Sequence, residues 1–138
     1  MDLLARREHA TGEMRKKLIG KGIAVPLVDA ALEKLVAEGL LSDRRFVEVF
    51  LLSRKNRGYG PLRIQAELRQ RGIDDELIAD HIDPRDELWA DSIRAVWCKR
   101  FGNRLPQDMK ERARQARFLQ YRGFTNEQIS RLFKHVES

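Results

Sequence analysis

Cationic side chains are the residues whose spacing most suggests chemistry, and that chemistry is ionic recognition. Between positions 54 and 71, Arg54, Lys55, Arg57, Arg63, Arg69 and Arg71 face a single acid, Glu67. Tyr59 sits among them, within Gly58-Tyr59-Gly60. A second cluster holds Lys99, Arg100, Arg104, Lys110, Arg112, Arg114, Arg117 and Arg122, interrupted by Asp108 and Glu111. Within it Lys110, Arg114 and Arg117 follow an i, i+4, i+7 spacing and share one face of a helix. Guanidinium and ammonium groups arrayed this way attract phosphate or carboxylate. Each cluster also has a plain structural explanation. Cations near a helix C-terminus are favourable by about 0.3–1 kcal/mol, and a charged run is commonly a solvated face. Spacing alone leaves both explanations open.

Catalytic and metal-binding constellations are missing from the sequence. His9, His81 and His135 are scattered and have no cysteine nearby, which argues against a metal site. The lone cysteine, Cys98, excludes a disulfide framework and reads as a small buried hydrophobe. Gly58-Tyr59-Gly60 lacks the lysine and the preceding strand of a nucleotide loop. Asp74-Asp75-Glu76 reads as a helix start, where acids are favoured. Trp89, Trp97 and Phe101 fall at helical spacing and read as core. No nucleophile has a base within reach, so the expectation is a non-enzymatic protein without cofactor or metal.

The elements that must position these residues are helical. Apolar residues recur at helical spacing, as in Leu32, Leu35 and Val36, or Phe46, Val49 and Phe50, or Ile129, Leu132, Phe133 and Val136. No sustained alternation marks a strand. Thr11, Ser42-Asp43, Gly60-Pro61, Asp74, Asp83-Pro84 and Thr125 read as helix starts. Thr125 with Gln128 forms a capping-box pattern. Pro26 suits a first turn, and Gly39 can end that helix. About nine helices are predicted.

The 138 residues carry 27 Lys+Arg against 21 Asp+Glu, a net charge of +6. The excess is local: residues 84–138 hold 12 basic and 7 acidic side chains, whereas 43–83 hold 8 of each. At 42% apolar residues the composition argues against a disordered tail. No window is apolar enough to span a membrane, and charges interrupt the first apolar residues, so the expected location is the cytoplasm.

A repeat emerges with glycines as anchors. Gly22, Gly72 and Gly123 each follow a basic residue and precede Ile23, Ile73 and Phe124. Leu18, Leu68 and Leu119 lie four before. Val28, Ile78 and Ile129 lie six after, and Leu32, Ile82 and Phe133 ten after. A helix that ends at the basic residue places glycine in the left-handed C′ position. Its leucine at C3 then meets the apolar residue at C″. The predicted fold is all-α: tandem repeats of three-helix units in an elongated, curved array. The expected units are 1–41, with a shortened first helix, then 42–83 and 84–138. Units this small must stack to bury a core.

Four segments carry a resemblance to a known family. They are Leu3-Leu4-Ala5-Arg6-Arg7-Glu8-His9 with Glu13-Met14 and Lys17-Leu18; Leu40-Leu41-Ser42-Asp43-Arg44-Arg45-Phe46; Arg54 through Ile73, with Gly58-Tyr59-Gly60-Pro61-Leu62-Arg63-Ile64; and Arg117-Phe118-Leu119-Gln120-Tyr121-Arg122-Gly123-Phe124. In order and spacing the chain resembles RecX, the bacterial regulatory family that modulates the RecA recombinase. The chain begins inside the family's first helix, and residues 82–110 match weakly apart from Trp97. The resemblance implies a non-enzymatic helical protein that binds RecA in the groove of its filament on single-stranded DNA. It implies suppression of ATP hydrolysis, strand exchange and repressor co-cleavage, with direct DNA contact by some members. A monomer is the default expectation. The candidate RecA- or DNA-binding residues are Arg54, Lys55, Arg57, Tyr59, Arg63, Arg69, Lys110, Arg114 and Arg117. The alternative is a helical protein that acts directly on DNA.

Overall fold

Helical periodicity punctuated by glycine and proline yields eight α-helices among the described residues, 10–39 and 41–138, of a computed structural model. They are α1 (Thr11–Gly20), α2 (Val25–Ala37), α3 (Asp43–Asn56), α4 (Pro61–Gln70), α5 (Asp75–His81), α6 (Leu88–Phe101), α7 (Met109–Tyr121) and α8 (Asn126–Glu137). No strand occurs among the described residues. The helix expected before Thr11, and His9 with it, lies outside them.

The chain divides into two compact units. One comprises Met1–Leu51 and Glu67–His81, the other Leu52–Ala66 and Ile82–Ser138. In the first, Met14, Val28, Leu32 and Leu41 form a buried cluster, with Leu18, Ile19 and Leu35 packed against it. Phe46 and Phe50 stack with ring centroids 5.5 Å apart. The Arg71 guanidinium lies 5.1 Å from the Phe50 ring and pairs with Glu13. In the second unit α6 packs on α7 and α8, and α7 packs on α8. Trp89, Ile93, Trp97, Leu119, Ile129, Leu132 and Phe133 are buried there.

Three helices end in one geometry. Gly22, Gly72 and Gly123 have φ of 87°, 82° and 102°. Their amides donate to the carbonyls of Ile19, Arg69 and Gln120. The next amides, of Ile23, Ile73 and Phe124, reach back to Leu18, Leu68 and Leu119. This is the paired bonding of a Schellman cap. Ile73 and Phe124 are buried, but Ile23 remains 40% exposed. The residues six and ten beyond each glycine are all buried, so the segment after each cap turns its apolar residues inward; Ile82 does so just past the end of α5. Gly58 ends α3 in the same way: its amide donates to Lys55, and that of Tyr59 to Arg54.

Helix starts differ from expectation in two places. Thr11 is the first helical residue of α1, not its cap; Ala10 precedes it without a side-chain bond. The Thr11 amide instead donates to Asp43 Oδ1 at 2.6 Å, so the acid that opens α3 also satisfies α1. Asp83-Pro84 opens a turn rather than a helix. Asp83 Oδ1 accepts from the Arg85 amide and Asp86 Oδ1 from the Leu88 amide, which delays α6 until Leu88. Thr125 and Gln128 form the reciprocal capping box of α8.

Candidate functional site

The corner between α3 and α4 is fixed by backbone contact within the second unit. The Gly60 amide donates to the Arg122 carbonyl at 2.7 Å, and the Leu62 amide to Gly123 at 2.9 Å. A methyl at Gly60 would stand 2.5 Å from the Gly123 carbonyl carbon, and one at Gly123 would collide with Arg63. Glycine at both positions is the condition for this close approach.

The corner's cations are stacked on aromatic rings. Arg63 lies 4.1 Å from the Tyr59 ring and 5.5 Å from that of Tyr121. Arg122 lies 5.1 Å from Tyr59 and 5.3 Å from Phe118. Arg100 lies 5.4 Å from Phe118 and 5.2 Å from Phe101, and Arg114 lies 5.4 Å from Phe101. Cations and rings thus alternate from Tyr121 to Arg114. Each such contact contributes about 0.5–1 kcal/mol where exposed. The Lys55 ammonium lies 5.2 Å from the ring of buried Trp89. Arg122 also donates to the Arg57 carbonyl at 3.1 Å. Arg54 is half-buried and Arg57 exposed.

Arg69 belongs to the first unit, where its Nε donates to Asp75 at 2.8 Å. The other eight candidate residues belong to the second unit. Arg54, Lys55, Arg57, Tyr59 and Arg63 form the corner, and Lys110, Arg114 and Arg117 lie exposed along α7.

Behind α7 a polar path runs to the core. Gln115 is fully buried; it accepts from Trp97 Nε1 at 2.8 Å and donates to the Arg104 carbonyl and to Glu111. Glu111 binds Arg114 through two bonds, at 2.9 and 2.8 Å. Hydrogen bonds from Arg114, then from Gln115, hold the Glu111 carboxyl down to about 2. Trp97, Gln115 and Glu111 thereby orient Arg114.

Spacing alone did not select Gln115, Arg122, Arg100 or Tyr121 as site residues. Their signals were present: Tyr59 and Arg63 lie four apart, as do Phe118 and Arg122, and Gln115 precedes Leu119 by four. Cys98 is half-buried rather than buried, and its thiol donates to Asn103 Oδ1.

A cleft of about 630 Å³ lies between residues 84–94 and α8. Three arginines and four carboxylates line it, including Arg131 paired with Glu127 at 2.8 Å, and Arg94 meets His135 at 3.1 Å. Its charges largely cancel. Among the described residues no group of His, Cys, Asp and Glu is arranged to hold a metal, and no helix is long and apolar enough to cross a membrane.

The described residues make an all-α protein with exposed cations along α7, and comparison with known proteins specifies its family. Family models match residues 1–35 (RecX, first three-helix domain), 42–82 (RecX, second three-helix domain) and 86–133 (RecX, third three-helix domain). The chain is 47% identical to the regulatory protein RecX of Pseudomonas entomophila over 132 residues, 96% of this chain and 85% of that protein. It is 46% identical to that of Pseudomonas savastanoi pv. phaseolicola over the same shares. A crystal structure of RecX from Lactobacillus salivarius superposes with a TM-score of 0.80 at 18% identity, covering 99% of this chain and 90% of that one. A second RecX crystal structure gives 0.78 at 23% identity, covering 97% and 67%. The chain belongs to the RecX family of regulatory proteins.

Proposed function

We propose that this chain modulates a RecA recombinase by binding RecA, or its filament on single-stranded DNA, and suppresses its ATPase, strand exchange and co-protease activity. The observation that carries the reading is the family match in all three domains, from residue 1 to residue 133. The role is non-catalytic, since binding at a filament end or groove needs only occupancy. We take the repeats 1–41, 42–83 and 84–138 as the working modules, the cytoplasm as the location and a monomer as the active form. Modules repeated along one chain suit a partner that is itself a polymer, because each added contact raises avidity. Exposed cations on α7 fit a negatively charged partner surface.

Direct DNA binding is the second reading, favoured by the same cations. Co-sedimentation separates the two. The chain should pellet with RecA filaments at a salt concentration where it no longer pellets with bare single-stranded DNA. Equal loss from both on raising salt would favour DNA as the target, because phosphate contacts weaken steeply with salt.

A further inference from the structure

Two backbone hydrogen bonds at the α3–α4 corner join residues that belong to different three-helix domains. The family's second domain covers 42–82 and its third 86–133. The Gly60 amide nevertheless donates to the Arg122 carbonyl, and the Leu62 amide to that of Gly123. These bonds solve a helix-end problem on both sides. Leu62 lies in the first turn of α4, where amides have no partner within the helix. Arg122 is the C-cap of α7, where carbonyls are left over in the same way, and Gly123 follows it. The start of one helix and the end of another thus satisfy each other. Gly60 and Gly123 are both buried, so water would not make good a lost partner.

Side chains close over this pair of bonds from both domains. Arg63 lies between the rings of Tyr59 and Tyr121, and Arg122 between those of Tyr59 and Phe118. Arg122 also donates to the Arg57 carbonyl, and the Lys55 ammonium lies over buried Trp89. The approach is tight throughout. A Cβ at Gly60 would stand 2.5 Å from the Gly123 carbonyl carbon, and one at Gly58 would stand 3.1 Å from the Val96 side chain. The compact unit that holds 82–138 accordingly takes in 52–66 and leaves out 67–81.

We infer that residues 52–66 and 82–138 open and close as one cooperative unit, in which the α3–α4 corner is the clasp of the third three-helix domain. A domain of about fifty residues buries little core by itself, and the corner supplies part of what the third domain lacks. In an array of self-contained repeats, each three-helix domain would open within its own boundaries. Here the opening unit crosses them. The cations gathered at the corner then have a structural occupation, because Lys55, Arg63 and Arg122 are its fastenings. The inference stands apart from the proposed function and does not depend on it.

The test is native-state hydrogen exchange, read by mass spectrometry on the full chain. The chains compared are the wild type, Gly60→Ala, and Gly22→Ala as a control in the turn between α1 and α2. Circular dichroism checks each fold. Arg122→Met, which keeps both backbone bonds, takes the place of Gly60→Ala if that variant does not fold. Gly60→Ala should speed exchange about tenfold in 54–66 and by the same factor in α8, whose amides lie outside the clasp. Segment 11–37 and α5 should exchange as in the wild type. Gly22→Ala should leave 54–66 and α8 unchanged. Acceleration confined to 42–82, with α8 at the wild-type rate, would overturn the inference and return the corner to its own domain. Acceleration that spreads equally to α5 or to 11–37 would overturn it as well, by showing a single cooperative unit.

Discussion

At the scale of single residues, buried polarity decides which side chains hold the second unit together. Gln115 is the one buried polar residue among the described positions, and it satisfies the Trp97 indole inside the core. Gln115→Leu leaves that N–H without a partner and should cost about 1–3 kcal/mol in denaturant unfolding. Loss near zero would mean the indole is satisfied otherwise. Arg122→Met removes two ring contacts and the bond to the Arg57 carbonyl. It should cost about 1–3 kcal/mol, and Arg122→Lys should recover part of the charge but not the planar stacking. Glu111 supplies a pH signature. Its folded carboxyl titrates at about 2, below the ordinary value of 4.5. Its contribution to stability is therefore present above pH 4.5 and fades as the pH falls towards 2. Glu111→Gln should flatten that part of the acid-unfolding profile, modestly because the group is solvent-screened; an unchanged profile would contradict the Arg114 pairing.

At the scale of elements, helix ends organise the molecule, and they were also what the sequence made most readable. A left-handed C′ position admits little besides glycine, so Gly22, Gly72 and Gly123 reported both the helix ends and the register of the apolar residues beyond. Thr125 and Gln128 were legible because a capping box is local. The start of α6 was not. Asp83 and Asp86 both offer carboxylates to nearby amides, and a turn absorbs the first before helix begins. Capping of α1 by Asp43 was equally hidden, being a contact across 32 positions. At the candidate site, the cations were visible as a list, but their division was not. Which arginine rests on a ring depends on side chains brought together from α3, α4, α6 and α7. The caps predict a graded series. A methyl at Gly22 would face open space, so Gly22→Ala meets only the φ of 87° and should cost about 1 kcal/mol. Gly72→Val adds a β-branch at positive φ, and a Cβ there would meet the Gly12 backbone at 3.3 Å. Gly123→Ala collides with Arg63. Both should cost more than about 2 kcal/mol. Equal losses at all three glycines would show that backbone conformation alone sets the cost.

At the scale of the whole molecule, the charge distribution and the proposed function meet in a negatively charged partner. The net +6 is not a uniform coat; residues 84–138 carry most of it, and α7 presents it outward. Charge alone would favour nucleic acid. Under the function proposed above, the partner is a nucleoprotein filament, in which protein and DNA lie side by side. The most direct measurement is a titration of the chain into RecA hydrolysing ATP on single-stranded DNA. The account predicts inhibition, reached well below one chain per RecA subunit if filament ends are blocked. DNA-dependent ATP hydrolysis that stays unchanged at every ratio, with the chain folded, would contradict it.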